Sequence, residues 1–204
     1  MKHMPFSLPS AKHGARVGFF GGSFDPPHLG HMMLGLSFLS LELLDELWIV
    51  PCNDHAFKKT ICAFHDRMAM CKLAFSQLQN TKVLDIEHHL PSPNYTINTI
   101  KAINAIRPDL TIIIGLGSDL IKSFDSWHQA SSLASLAQFA IFAREHYPCD
   151  LPSMLNHARV HDGYILPDTS STALRESLSL EPKEKCSLVD RRVQHYINEH
   201  NLYS

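Results

Sequence analysis

Residues 15–31 read ARVGFFGGSFDPPHLGH. The first half, ARVGFFG, has the length and composition of a short buried strand, and a glycine ends it. The second half is far richer than a turn requires: a further glycine, a carboxylate, two prolines, and two histidines at positions 28 and 31. Beyond it, HMMLGLSFLSLELL places apolar residues at 29, 32, 33, 36, 39, 43 and 44, the spacing of one helix face. Strand, elaborate loop and helix in that order predict the opening unit of an α/β sheet, with a ligand loop at the strand exit.

The alternation continues along the chain. ELWIVP (46–51) reads as a strand stopped by Pro51, and residues 66–79 as an amphipathic helix with apolar positions 68, 71, 74, 75 and 78. TKVLDIE (81–87) reads as a strand, and TINTIKAINAI (96–106) as a helix capped by Thr96 and closed by Arg107-Pro108. DLTIIIGLG (109–117) is the most strand-like run of all, apolar and glycine-terminated. AQFAIFAR (137–144) and YILP (164–167) predict two more strands, and SSTALRESL (170–178) and VDRRVQHYINEH (189–200) two closing helices. Central strands that are continuous apolar runs belong to a parallel sheet covered on both faces. The expected fold is therefore an α/β doubly wound parallel sheet, Rossmann-like, with a small C-terminal helical region. It forms one domain over 15–204, after a loose N-terminal extension over 1–14. In such sheets ligands bind outside the carboxyl ends of the strands, and the unusual loops after residues 20, 50 and 116 all lie at that edge.

Composition narrows the class of function. The 204 residues are 45% hydrophobic and 19% charged, enough apolar material for a sizeable core, with a net charge of −2. That balance argues against a nucleic-acid or membrane-surface protein that works by bulk charge. No run approaches the ~20 apolar residues of a membrane span, and the N-terminus lacks the apolar stretch of a signal peptide. Five cysteines, at 52, 62, 71, 149 and 186, form no CxxC pair, which fits reduced thiols and a cytoplasmic protein.

The loop carries the chemistry. Gly21 and Gly22 allow close backbone approach or a positive φ, and Pro26 and Pro27 stiffen the turn. Gly30 and His31 fall at a helix start, whose free N–H groups and dipole favour an anion. His28 and His31 share a face there if the turn is helical, and two imidazole donors beside that terminus suit a polyphosphate. Neither GxxxxGK[ST] nor GxGxxG is present, so this is neither the P-loop nor the dinucleotide fingerprint. An HxxH pair could also ligate zinc, but no second pair at metal spacing follows. Further on, Ser171 and Thr172 can cap a helix while Arg175 forks onto phosphate oxygens. The plain alternative is an ordinary cap with a surface arginine.

GGSFDPPHLGH resembles the signature of the nicotinate/nicotinamide mononucleotide adenylyltransferases, within the nucleotidyltransferase superfamily marked by HxGH, here His28-Leu29-Gly30-His31. ELWIVP, DRMAM, PNYTINTI, GLGSDLIKSFDSWH, SSTALR and VDRRVQHYINEHNLY resemble further family segments in the same order, so the likeness spans nearly all of 15–203. It implies ATP phosphates on the Gly22-Ser23-Phe24 backbone, on His28, Gly30 and His31, and at the start of the helix bearing Ser171, Thr172 and Arg175. His28, His31 and Arg175 would be the catalytic residues. Gly117 would allow close approach and Asp119 would accept from ribose hydroxyls, helix capping being the alternative for Asp119. On the mononucleotide side it implies Lys58, Tyr95, Thr96, Trp127 and Arg144, with Trp127 stacking on the pyridine ring unless it belongs to the core. No metal site of the chain's own is implied; Mg²⁺ would arrive with ATP. The implied partners are the small molecules ATP and nicotinate or nicotinamide mononucleotide, with no nucleic acid and no membrane.

Two stretches depart from the pattern. Ala56-Phe57 stand where the family has Pro-His, and Glu145-His146-Tyr147 follow Arg144 where it has Arg-x-Gly. Both lie towards the acceptor, so ATP use is untouched while the acceptor stays open between the two pyridine mononucleotides. A sister adenylyltransferase acting on a pantetheine phosphate is the second enzymatic reading, and a catalytically silent nucleotide-binding regulator the third. A silent relative would be expected to lose a histidine of HxGH or the arginine of SSTxxR, and all are present.

Overall fold

The structure is a computed structural model that describes residues 6–54, 61–166, 169, 171–180 and 188–203. In chain order it runs β1 (Arg16–Gly22), α1 (Leu29–Leu41), β2 (Glu46–Pro51), α2 (Phe64–Phe75), β3 (Thr81–Val83), α3 (Thr96–Ile106), β4 (Thr111–Gly117), α4 (Ala130–Leu136), β5 (Gln138–Arg144), β6 (Arg159–Leu166), α5 (Ser171–Leu180) and α6 (Arg191–Glu199). The six strands form one parallel sheet in the order β3-β2-β1-β4-β5-β6. This is the doubly wound architecture the strand pattern predicts. The order reverses between β1 and β4, where such sheets open a ligand crevice. Register brings Gly22 opposite Pro51 and Gly117 opposite Phe142, so the exits of β1, β2, β4 and β5 line one edge.

Successive residues of each strand face opposite sides of the sheet. Val17, Phe19, Trp48, Ile112, Ile114 and Ile141 pack with α3 and α4 on one side. Leu47, Ile49, Ile113, Ala140 and Phe142 pack with α1, α2, α5 and α6 on the other. That double burial explains strands with no polar alternation.

Four local expectations change. The buried face of α1 is Gly30, Leu34, Gly35 and Phe38, while Leu29, Leu36 and Leu43 of the expected face are exposed. Gly18 and Gly115 leave a hole in the sheet that the Phe38 ring fills; a Cβ on Gly115 would collide with that ring, and one on Gly18 would stand 3.1 Å from it. A helix with apolar residues on most sides turns towards a site that accepts its largest side chain. Thr96 is the first residue of α3 rather than its cap; Tyr95 holds the cap position without a side-chain hydrogen bond. β3 is cut to Thr81–Val83 and followed by a 3₁₀ turn over Ile86–His89, because Glu87 turns inward to Thr99. After β4 comes a 3₁₀ segment, Ser118–Ser126, and then α4, which the apolar pattern does not announce.

Cys52, Cys62, Cys71 and Cys149 are free thiols. Among the described residues no helix is long and apolar enough to cross a membrane.

Candidate active site

The site is built at the exit of β1. Neither Gly21 nor Gly22 takes a positive φ; Phe24 does, at 49°, with its side chain fully buried. The missing side chains at Gly21 and Gly22 instead make room for the rings of Phe19 and Phe24, which a Cβ would meet at 3.0 and 3.2 Å. The chain then enters α1 with His28 in extended conformation at the cap position.

His28 and His31 stand together there, ring centroids 3.8 Å apart. The His28 backbone N–H donates to Nδ1 of His31 at 3.2 Å. That bond leaves Nε2 of His31 as the protonated, donating nitrogen of the neutral ring. Nδ1 of His28 lies 3.4 Å from the Thr169 hydroxyl, and Gly30 makes the packing possible, since a Cβ there would overlap Thr169 Oγ1 and stand 3.1 Å from His28 Cε1. Burial, helped by the Arg144 charge, lowers the His28 pKa to about 4. Burial, His28 and Arg144 hold His31 well below the ordinary imidazole value. Both rings are therefore neutral at pH 7, and each has one N–H to offer an oxyanion.

Two more segments converge on the same loop. At the start of α5, the Ser171 hydroxyl donates to the Pro26 carbonyl at 3.2 Å, and Arg175 donates to the Asp25 carbonyl at 2.7 Å and to Thr172 Oγ1 at 3.1 Å. Asp25 itself is buried; its Oδ1 accepts from the Tyr203 hydroxyl at 2.7 Å and from the Cys62 backbone N–H at 3.2 Å. Residues 145 positions apart are thus joined around one loop. Across the switch point, Asp119 pairs with Arg144 at 3.0 Å, and Arg144 also donates to the Thr169 carbonyl at 2.7 Å. Gly117 is obligatory for this, because a Cβ would overlap Asp119 Oδ1 and stand 2.8 Å from Arg144 Cδ. Asp119 Oδ1 is buried and accepts no hydrogen bond among the described residues, an acceptor that suits a hydroxyl of a bound ligand.

Arg144 therefore stands beside the histidines and Asp119. Of the other residues that the resemblance implies for the mononucleotide, Tyr95 stacks on His128 at 4.2 Å at the start of α3, and Trp127 is half-buried, its ring 5.3 Å from Phe124. Lys58 and the Ala56-Phe57 pair lie outside the described residues. No motif singles out Asp25 as an anchor, Thr169, the wholly buried Arg67 or the buried Glu87. Only Arg67 leaves a trace in the pattern, as a charge set among apolar positions of α2.

The fold and the paired imidazoles at the strand exit define a nucleotide-handling protein of Rossmann-like architecture. The cytidylyltransferase-like family profile matches residues 19–177. A protein of Halalkalibacterium halodurans named "probable nicotinate-nucleotide adenylyltransferase" is 31% identical, over 92% of this chain and 91% of its own length. One of the same name from Shouchella clausii is 32% identical, over 92% and 96%. Among solved structures, the nicotinic acid mononucleotide adenylyltransferase of Plasmodium falciparum complexed with NaAD superposes with a TM-score of 0.77 at 26% identity, over 93% of this chain and 97% of that one. The chain belongs to the cytidylyltransferase-like family, and within it to the nicotinate-nucleotide adenylyltransferases.

Proposed function

We propose that this chain transfers the AMP moiety of ATP to nicotinate mononucleotide, releasing pyrophosphate and forming the dinucleotide of NAD biosynthesis. The observation that carries the reading is the convergence of His28, His31 and the Ser171–Arg175 turn of α5 on the loop from Ser23 to Pro26. Three separate sources of N–H donors surround one loop at the switch point of the sheet.

In this reading a phosphate oxygen of the mononucleotide attacks the α-phosphorus of ATP, the α–β bridging P–O bond breaks, and pyrophosphate leaves; Mg²⁺ carried by the ATP phosphates would offset their charge. The attacking phosphate is already a competent nucleophile, so no general base or covalent intermediate is required. Catalysis is positioning and charge stabilisation. The Gly22-Ser23-Phe24 backbone, Gly30 and the neutral His28 and His31 rings receive the phosphates as hydrogen-bond donors. Arg175 and the Ser171 and Thr172 hydroxyls close the other side. Gly117 lets the nucleoside approach, and Asp119 Oδ1 accepts from the ribose. The acceptor lies towards Tyr95, Thr96 and Trp127, with Lys58 supplying a cation for its phosphate; Arg144 orients Asp119.

The test is pyrophosphate release from purified protein with ATP and Mg²⁺, with nicotinate and nicotinamide mononucleotides supplied in parallel. Turnover with nicotinate mononucleotide is expected. His31→Ala should lose about 10²–10³ in kcat while remaining folded. Silence with both acceptors alongside ATP binding would overturn the acceptor and leave the ATP half standing.

A further inference from the structure

Arg67 lies on the core-facing side of α2 and is wholly buried. A guanidinium in that position is costly unless its donors are satisfied, and among the described residues it forms no ion pair. Its donors reach main-chain carbonyls on three separate segments, and Nη1 also lies 4.0 Å from Cys52 Sγ. Nε donates to Cys62 at 2.8 Å, Nη1 to Ser23 at 2.9 Å and Nη2 to Asn53 at 3.4 Å. Ser23 is in the phosphate loop, Asn53 follows β2, and Cys62 leads into α2.

Two further bonds extend the connection. Asp25 Oδ1 holds the Cys62 N–H from the phosphate-loop side. Next to Asn53, the Asp54 N–H donates to Asn94 Oδ1 at 2.9 Å, and Asn94 immediately precedes Tyr95 and Thr96 at the start of α3. A continuous path therefore runs from Ser23 through Arg67, Asn53, Asp54 and Asn94 to the residues of the acceptor side.

We propose that Arg67 is a positioning residue that sets the phosphate loop against the acceptor side, so that ordering one substrate's loop orders the other's. The proposal rests on the adenylyltransferase reading, in which two phosphate-bearing substrates must meet in line. Near-attack geometry tolerates little error, and a displacement of about 1 Å costs on the order of 10² in rate. The planar fork reaches three carbonyls at once. A lysine keeps the charge but has a single ammonium and cannot span them.

The experiment has a kinetic arm and a structural arm. Arg67→Lys should lower kcat about 10²-fold at saturating substrates, while the ATP Kd changes by less than about threefold. Arg67→Ala should regain part of the lost kcat with guanidinium ion and none with methylammonium. In the structural arm, amide hydrogen exchange is followed with and without ATP. In the native protein ATP should slow exchange at residues 52–54 and 61–66 as well as at 23–31; in Arg67→Lys the slowing should be confined to 23–31. An unchanged kcat in the lysine variant would overturn the proposal. So would native-protein protection limited to 23–31, which decides the matter even if both variants fail to fold. The exchange arm needs only ATP, so silence of the native protein with both mononucleotides would count against the acceptor assignment without touching this result.

Discussion

Replacing His28 with asparagine tests the electrostatic character of the site directly. Asparagine is a good helix cap and does not titrate, so the substitution removes the proton equilibrium while keeping a polar group at the start of α1. In the folded protein burial holds His28 near 4, against 6.5 for an ordinary imidazole. Below pH 6.5 the unfolded chain therefore takes up a proton that the folded chain refuses, and stability falls as pH falls from 6.5 to 4. At about 1.4 kcal/mol per pH unit this gap amounts to about 3 kcal/mol. Urea unfolding at a series of pH values, followed by the fluorescence of Trp48 and Trp127, reads the effect. The native protein should lose about 3 kcal/mol more than His28→Asn between pH 7 and pH 4. A stability difference that stays constant over that interval would mean that the His28 imidazole titrates in the fold as it does in water, and that burial does not hold it neutral.

Two other substitutions probe neighbouring features. Gly30→Ala should gain up to ~1 kcal/mol of helix propensity, yet its Cβ would overlap Thr169 and press on His28; a thermal melt and kcat should both show a loss, and a more stable, fully active variant would contradict the packing. Burial raises the Glu87 pKa to about 7, although the Thr99 hydroxyl and the Asn53 backbone pull the other way. Its protonated form therefore persists in the fold above the ordinary carboxylate range, and the native protein loses stability as pH rises from about 4.5 to 7. Relative to the native protein, Glu87→Gln should grow more stable across that window by about 3 kcal/mol in urea titrations, and a flat difference would place Glu87 in contact with solvent.

Local pattern carried the architecture. Continuous apolar runs at 46–51, 109–117 and 137–144 can be satisfied only by burial on both faces, and that requirement alone specifies a covered parallel sheet. The HxGH pair and the Ser171–Arg175 turn were legible for the same reason, since each needs only its own few residues to place donors at a helix start. Residue identity did not tell which way a helix faces when apolar residues surround it. The orientation of α1 depends on holes at Gly18 and Gly115, one on each of two adjacent strands, and a glycine adds nothing to a hydrophobic period. Arg175 is legible as a candidate phosphate fork, but its bond to the Asp25 carbonyl, 150 positions away, is not. The depressed His28, the raised Glu87 and the buried Arg67 also escape the sequence. Their character comes from desolvation by segments distant in the chain, and desolvation is a property of what surrounds a group. The chain's own order determined the sheet and the elaborate loop after β1; only tertiary packing decided which side chains beneath that loop are neutral, which are charged, and which hold its parts together.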